Sequence, residues 1–312
     1  MKKIVGIAFV CTICIYMIGC NNINNNVNQQ SAKDKKESTS SVVMKNKDTM
    51  SKENAVVENT STSKKAANYK ESFNGIDGCA VFYNSDMKEY RFYNEQLCEK
   101  QVSPCSTFKI IATLVGLEKG VINSIDSKMN YDGTSYPIKA WNKDLNLKEA
   151  FQTSCVWYFR KVIDKIGKDN MQKALKKIKY GNCDISQWKG GNINPLPDLN
   201  GFWLESSLKI SPKEQVEVLA NIFNGNTEYS EKNISILKDI MLVDKSDHIS
   251  IYGKTGTGNK DNGWFVGMIE QDTQKYFFAI HLNDKNSSQV SGPKAKEIAL
   301  KIIRQHYDKY KD

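Results

Sequence analysis

Ser106-Thr107-Phe108-Lys109 places a hydroxyl and an amine three residues apart, just after the break Ser103-Pro104-Cys105. Residues at i and i+3 share one helix face, so the Lys109 amine can reach the Ser106 hydroxyl without help from elsewhere in the chain. A serine nucleophile with a lysine base is the chemistry that this spacing suits. In a chain with 44 Lys and Arg among 312 residues, the same spacing also arises on ordinary solvated helix faces. A second lysine motif, Lys254-Thr255-Gly256-Thr257, follows Ile249-Ser250-Ile251-Tyr252, whose alternating β-branched and aromatic character reads as a strand running into it. There the glycine lets a substrate backbone come close, while lysine and threonine offer donors to a carboxylate. The competing reading is a strand that ends in a glycine-rich turn, since Gly253, Gly256 and Gly258 punctuate the segment.

Two further pieces lie between these motifs. Ser154-Cys155-Val156 sits in an apolar stretch from Leu147 to Ile163 that reads as helical, and Tyr180-Gly181-Asn182 follows a lysine-rich helix around Lys173 to Lys179. On their own, Ser154 is a helix serine bonded to its own backbone and Tyr180-Gly181-Asn182 is a helix C-cap with glycine in the left-handed conformation.

The ordered set S-x-x-K, S-x-V, Y-G-N, W-L-E and K-T-G resembles that of the class D, or oxacillinase-type, serine beta-lactamases. The likeness continues in Ser103-Pro104-Cys105, in Phe202-Trp203-Leu204-Glu205 and in Gly263-Trp264-Phe265-Val266-Gly267, and covers roughly residues 70 to 310. It implies that Ser106 attacks the lactam carbonyl and carries the acyl group. A free lysine is protonated at neutral pH, so Lys109 must be altered by its surroundings, and burial lowers a lysine pKa to about 5–6 in extreme cases. In the family the neutral amine takes up carbon dioxide, so bicarbonate is needed, no metal or other cofactor is expected, and the carbamylated lysine is the general base. Phe108 and Val156 supply apolar neighbours, and Trp203 matches the tryptophan whose indole N–H holds the carbamate. Taken without the resemblance, Trp203 is an ordinary core aromatic. The resemblance further implies that Ser154 passes a proton toward the lactam nitrogen, that Lys254 biases its hydroxyl and attracts the substrate carboxylate, and that Thr255 binds the same carboxylate. The oxyanion hole falls to the backbone N–H groups of Ser106 and Thr257, such donors being worth about 10²–10³ in rate each. Beta-lactam antibiotics are thus the expected partners.

One part of the pattern is missing. Better-known members carry an arginine near the start of the final helix, but Val290-Ser291-Gly292-Pro293-Lys294-Ala295-Lys296-Glu297-Ile298 has none, and the next arginine is Arg304. Lys294 or Lys296 could act there as a point charge without the bidentate fork. The histidines, His248, His281 and His306, form no H-E-x-x-H or H-x-E, and no G-x-S-x-G surrounds a serine of the folded part, which argues against zinc and Ser-His-Asp hydrolases. They read as surface or strand residues. Of eight cysteines, Cys79, Cys98, Cys105, Cys155 and Cys183 lie beyond the leader, an odd set that does not suggest a disulfide framework. Cys105 and Cys155 read as small core residues rather than nucleophiles.

Lys2-Lys3 followed by an apolar run from Ile4 to Ile18 has the shape of a signal peptide. Met17-Ile18-Gly19-Cys20 resembles a bacterial lipobox with Met in place of the usual Leu, so lipidation of Cys20 would anchor the exported chain to the outer face of the cell membrane. The alternative is an ordinary signal peptide, residues 1–20, with a chance cysteine. Residues 21–70, rich in Asn, Ser and Lys, read as a disordered tether, and 71–312 as one catalytic domain. The net charge of +9 comes mostly from lysine and reads as solvated faces. Nucleic acid is not an expected partner of an exported protein.

The elements that must hold these motifs begin with strands at Gly78 to Asn84 and Glu89 to Asn94, then a helix from Ser106 to Lys119, apolar nearly all round and so central, closed by Gly120. Helices dominate from Leu147 to Lys179, and Ser211-Pro212-Lys213-Glu214 is a capping box opening a helix to Asn224. Strands are expected at Ile249 to Thr255, Trp264 to Glu270 and Tyr276 to Asn283, before a last helix from Pro293 to Tyr310. Strands at both ends with helices between imply an α/β (α+β) fold, an antiparallel sheet flanked by helices plus a helical subdomain, with the site in the cleft. The resemblance implies that this is the fold of penicillin-recognising serine transferases and beta-lactamases. A beta-lactam sensor that is acylated without turnover, and a cell-wall transpeptidase or carboxypeptidase, share S-x-x-K and K-T-G. Val156, where S-x-N would carry an amide, favours the hydrolase, and no multi-helix membrane protease region precedes the domain as a sensor would require.

Overall fold

A computed structural model describes residues 62–259 and 261–308 of the chain. The expected leader, with Cys20, and most of the expected tether lie outside the described residues. The folded part nevertheless starts earlier than expected. Ser63–Ala66 is a strand (β1) and Lys70–Phe73 a short helix (α1), so the last residues assigned to the tether belong to the domain.

Gly78–Asn84 (β2) and Glu89–Tyr93 (β3) form a hairpin, followed by Glu95–Cys98 (α2). A 3-10 turn, Cys105–Phe108, runs straight into Lys109–Glu118 (α3), which is buried on every side up to Leu117. Lys128–Met129 (β4) and Leu145–Asn146 (β5) make a small separate sheet. Helices Leu147–Gln152 (α4), Val156–Ile166 (α5) and Lys168–Lys177 (α6) follow. The helix expected through Ser154 is therefore broken there, because Ser154 takes φ +58 between α4 and α5. Pro212–Phe223 (α7) opens on the expected capping box, with Ser211 accepting from the Glu214 N–H and Glu214 accepting from the Ser211 N–H. Glu231–Met241 (α8) leads into Leu242–Lys245 (β6), Ile249–Thr257 (β7), Gly263–Gln271 (β8), Gln274–Leu282 (β9) and a final helix, Gly292–His306 (α9).

The main sheet runs β1-β3-β2-β9-β8-β7-β6 and is antiparallel apart from the outermost β1–β3 pair, which is parallel. Pairing of β2 with β9 joins the first strands to the last. Alternation then sorts side chains to two faces. Phe82, Phe265, Phe278 and Ile280 pack with Ala295, Ile298, Ile302 and Ile303 of α9, each fully buried isoleucine being worth about 1.5–3 kcal/mol. Val81, Trp264, Val266 and Met268 face the opposite way, into the larger core shared with α3, α5 and α7. That second face carries the chemistry. Sheet, flanking helices and helical lobe match the expected architecture.

Candidate active site

The turn before α3 delivers the first pair. Lys109 Nζ donates to Ser106 Oγ at 2.8 Å, and Lys109 is 0% exposed. The ring of Phe159, on α5, lies 5.6 Å from the ammonium. Burial in this apolar setting lowers Lys109 to about 8, since desolvation penalises the charged form.

The second pair is assembled across the fold. Lys254 Nζ donates to Ser154 Oγ at 2.6 Å and to the Thr255 carbonyl at 2.9 Å. Phe151 of α4 lies 5.6 Å from this ammonium. Burial, and then the charge on Lys109, holds Lys254 well below the usual lysine range. Thus Ser154 is not bonded only to its own helix. Its left-handed backbone turns the hydroxyl out between two helices, a conformation that costs a residue with a side chain about 1–2 kcal/mol. Cys105, at φ +48, and Glu205, at φ +46, share that strain, and such residues gather at functional sites because the surroundings hold them there.

The whole of Lys254-Thr255-Gly256-Thr257 lies on β7, two residues longer than expected. A Cβ on Gly256 would sit 3.1 Å from the Pro104 carbonyl oxygen and from Thr107 Cγ2, so the strand lies directly against the turn bearing Ser106. The Thr257 hydroxyl accepts from the Gly292 N–H at 2.9 Å, which docks the start of α9 onto the same strand end. Arg304 is in the last turn of α9, paired with Asp244 at 3.4 Å, and does not stand in for the absent arginine. Lys294, in the first turn, pairs with Glu297 at 2.7 Å.

Tyr180-Gly181-Asn182 does more than cap a helix. Gly181 has φ +52, and its Cβ would fall 1.9 Å from the Lys209 carbonyl oxygen. Asn182 donates to that carbonyl through its N–H at 3.0 Å and to the Ser207 carbonyl through Nδ2 at 2.9 Å. The Tyr180 ring meets Phe108 edge-on at 5.6 Å. Trp203 is 0% exposed and stacks on Phe108 at 5.9 Å, and its Nε1 has no partner among the described residues. An indole N–H buried this way costs about 1–3 kcal/mol unless something accepts from it. Val156 begins α5 at 9% exposure, and the neighbouring Cys155 thiol is pushed up to about 12 by burial. Burial and the Glu205 carboxylate push the Cys105 thiol up as well. Neither thiol is a nucleophile near neutral pH.

Behind Ser106 lies a polar network that sequence reasoning missed. Ser103 Oγ donates to the Trp203 carbonyl at 3.0 Å and accepts from the Glu205 N–H at 2.9 Å. Glu205 Oε1 accepts from Asn262 Nδ2 at 2.7 Å, from the Asn259 N–H at 3.2 Å and from the Cys105 thiol at 3.3 Å. Asn262 Oδ1 is 3.1 Å from Nε2 of His281, a strand residue, buried, and lowered to about 3 by that burial. The ring therefore stays neutral at physiological pH. The signal in sequence was W-L-E, whose Glu205 had no role assigned. Among the described residues no cluster of His, Cys, Asp or Glu could hold a metal.

With this geometry in hand, the chain can be compared with known proteins. Residues 38–304 match the family described as the penicillin binding protein transpeptidase domain. Regulatory protein BlaR1 of Bacillus licheniformis is 37% identical over 230 residues, 72% of this chain but 36% of that protein. The probable beta-lactamase YbxI of Bacillus subtilis (strain 168) is 33% identical over 242 residues, 77% of this chain and 84% of that one. The solved structure of class D beta-lactamase BAT-2 superposes with a TM-score of 0.69 at 32% identity, covering 77% of this chain and 96% of that one.

Proposed function

This chain belongs to the penicillin binding protein transpeptidase-domain family, with class D beta-lactamases among its relatives, and on that footing we propose that it hydrolyses beta-lactam antibiotics through an acyl-enzyme on Ser106. The observation that carries this reading is a desolvated Lys109, bonded to Ser106 Oγ, whose chain neighbour Phe108 stacks on Trp203, a buried indole whose N–H lacks an acceptor among the described residues. An amine lowered to about 8 is partly neutral at pH 7–8 and able to react with carbon dioxide. The orphan N–H fits a carbamate oxygen. Such a carbamate would give Lys109 an oxygen base beside the Ser106 hydroxyl.

The chain's own groups divide the remaining work. Ser106 Oγ forms an ester with the lactam carbonyl carbon as the C–N bond breaks, and its proton leaves toward Lys109. Ser154, held by Lys254, gives the ring nitrogen its proton, which stays on the product amine, and the Ser154 hydroxyl is restored through Lys254 by the proton that Ser106 released toward Lys109. Thr255 and Lys254 attract the substrate carboxylate. The N–H groups of Ser106 and Thr257 are the donors assigned to the developing oxyanion. Water then cleaves the ester, releasing the ring-opened acid and restoring Ser106. The complete burial of Lys109, with the Phe159 ring over its amine, favours the neutral amine over the ammonium. Export, and attachment through Cys20, complete the proposal and are tested by mass spectrometry of the membrane-extracted chain beside Cys20→Ala.

The regulatory relative at 37% identity gives substance to a second reading, a penicillin sensor acylated on the same serine without turnover. One assay separates the two. Hydrolysis of a chromogenic cephalosporin and a penicillin by the full chain, with and without bicarbonate, should show many turnovers that increase with bicarbonate and vanish in Ser106→Ala. A single stoichiometric burst leaving a stable ester on Ser106 would sink the hydrolase reading in favour of the sensor.

A further inference from the structure

Arg160 is the only arginine in the buried set among the described residues, at 3% exposure. Its Nε donates to Asp164 Oδ2 at 3.1 Å, Nη2 donates to Asp164 Oδ1, and Nη1 donates to the Trp188 carbonyl at 2.9 Å. Its guanidinium lies 5.2 Å from the centre of the Trp188 ring and 5.5 Å from that of Trp203. Lys189 Nζ closes on Asp164 from outside at 3.1 Å. A buried ion pair is weak evidence of a stabilising role, because well-packed apolar side chains often do as well. What distinguishes Arg160 is its location. It adjoins Phe159, whose ring lies over Lys109, so consecutive residues of α5 touch the candidate base and the candidate indole donor.

The Trp203 indole is also met edge-on by Phe202, at 5.1 Å, stacked by Phe108, at 5.9 Å, and approached by Gly201, where a Cβ would fall 2.2 Å from an indole carbon. None of these contacts is a hydrogen bond, and among the described residues Nε1 has no partner to hold it. The planar guanidinium supplies a stacking surface that is fixed at its edge by Asp164 and by the Trp188 carbonyl, a geometry that lysine cannot reproduce. We propose that Arg160 is a positioning residue, which holds the Trp203 indole so that its N–H stays directed at an anionic oxygen on Lys109 and thereby sets how tightly Lys109 retains carbon dioxide. The proposal rests on the carbamate reading given above.

The test uses the full chain loaded with ¹³C-bicarbonate, with the carbamate carbonyl followed by NMR and pre-steady-state acylation and deacylation by a penicillin followed in parallel. Wild type should give the resonance, and Arg160→Lys should remain folded by circular dichroism. Groups that orient metal ligands from behind change metal affinity by about 10–100-fold, and by that analogy half-saturating bicarbonate in Arg160→Lys should rise about tenfold. The same rise should appear in the bicarbonate dependence of both rates. A folded Arg160→Lys with an unchanged bicarbonate midpoint would overturn the role. Should Arg160→Lys fail to fold, Trp188→Phe, which narrows the stacking surface on the guanidinium, should raise the midpoint in the same direction, and an unchanged midpoint there overturns the role equally. Absence of the resonance in wild type at saturating bicarbonate removes the carbamate reading itself, and with it the proposal, and is told apart because it needs no mutant.

Discussion

The two lysine–serine pairs of this site look alike and are made in opposite ways. Ser106 and Lys109 sit three residues apart at 2.8 Å, whereas Ser154 and Lys254 sit 100 residues apart at 2.6 Å. Both lysines are almost wholly buried, each with an aromatic ring 5.6 Å away. The first pair needs only one turn of backbone. The second needs the break between α4 and α5, a left-handed serine, and β7 seated against the Ser106 turn. Lys254 also donates to a backbone carbonyl, that of Thr255, whereas the bond of Lys109 goes to the Ser106 hydroxyl. Burial first, and then repulsion from the charge on Lys109, lower Lys254 in this dry site. Conversion of Lys109 to an anionic base would replace that repulsion with attraction. On the proposed reading the two pairs would divide the work, base at Lys109 and proton donor at Ser154.

The largest effects should come from the local pair. Ser106→Ala and Lys109→Ala should each lower kcat/KM for a penicillin by roughly 10⁴-fold or more, and the double variant should be scarcely worse, as for residues that act as a unit. If the double variant falls far below both singles, the two residues do not share a step. Next come Ser154→Ala and Lys254→Ala, at about 10²–10⁴-fold, the usual weight of a general acid. Here the loss should fall on acylation, where the ring nitrogen leaves, and stopped-flow rates that show deacylation to be the more damaged step would contradict the assignment.

Legibility follows the same division. The Ser106–Lys109 contact, the Ser211 and Glu214 capping box and the strands around K-T-G could be read because each depends on neighbours within one turn or on period-two alternation. Resemblance, not local physics, supplied Ser154, Trp203 and Lys254. The break at Ser154 went unseen because the usual cue for a left-handed backbone is glycine or asparagine, and Cys105, Ser154 and Glu205 are neither. Arg160 and the His281–Asn262–Glu205 chain were invisible for a related reason. Apart from Asp164, one helical turn from Arg160, their partners lie 19 to 57 residues apart, joined only once the sheet and loops are in place. The exposed strand β1, with its Ser-Lys-Lys-Ala sequence, carries no apolar alternation and was absorbed into the tether.

A smaller effect separates the lysines by pH. With Lys109 lowered to about 8, its reactive neutral form grows about tenfold per pH unit below that value and levels above it. At fixed dissolved carbon dioxide, carbamate uptake should therefore rise with pH and flatten near 8. Stability carries the matching sign. Between about 8 and the ordinary lysine value of about 10.4, the unfolded chain binds more protons at this site than the folded one, so the carbon dioxide-free protein should gain stability as pH rises through that window. Lys109→Met should abolish that part of the gain. Denaturant titrations at pH 7.5 and 10 on both proteins give the comparison, and an equal gain in the two would place the titration elsewhere.

The smallest effect should distinguish the pairs by what stands behind them. Glu205 Oε1 collects three donors, from Asn262, Asn259 and Cys105, and so ties the β7–β8 loop to the residue preceding the nucleophile. Nothing comparable connects it to Ser154. Glu205→Gln keeps the size and one acceptor oxygen but loses the charge that strengthens those bonds, which should cost about 1 kcal/mol and lower Tm by about 2–4 °C. Turnover should fall only a few-fold, and by the same factor in a Ser154→Ala background, since distant and unconnected sites add. Strong non-additivity would show that the network reaches both pairs, and that the second is less independent of the Ser106 turn than their separate construction implies.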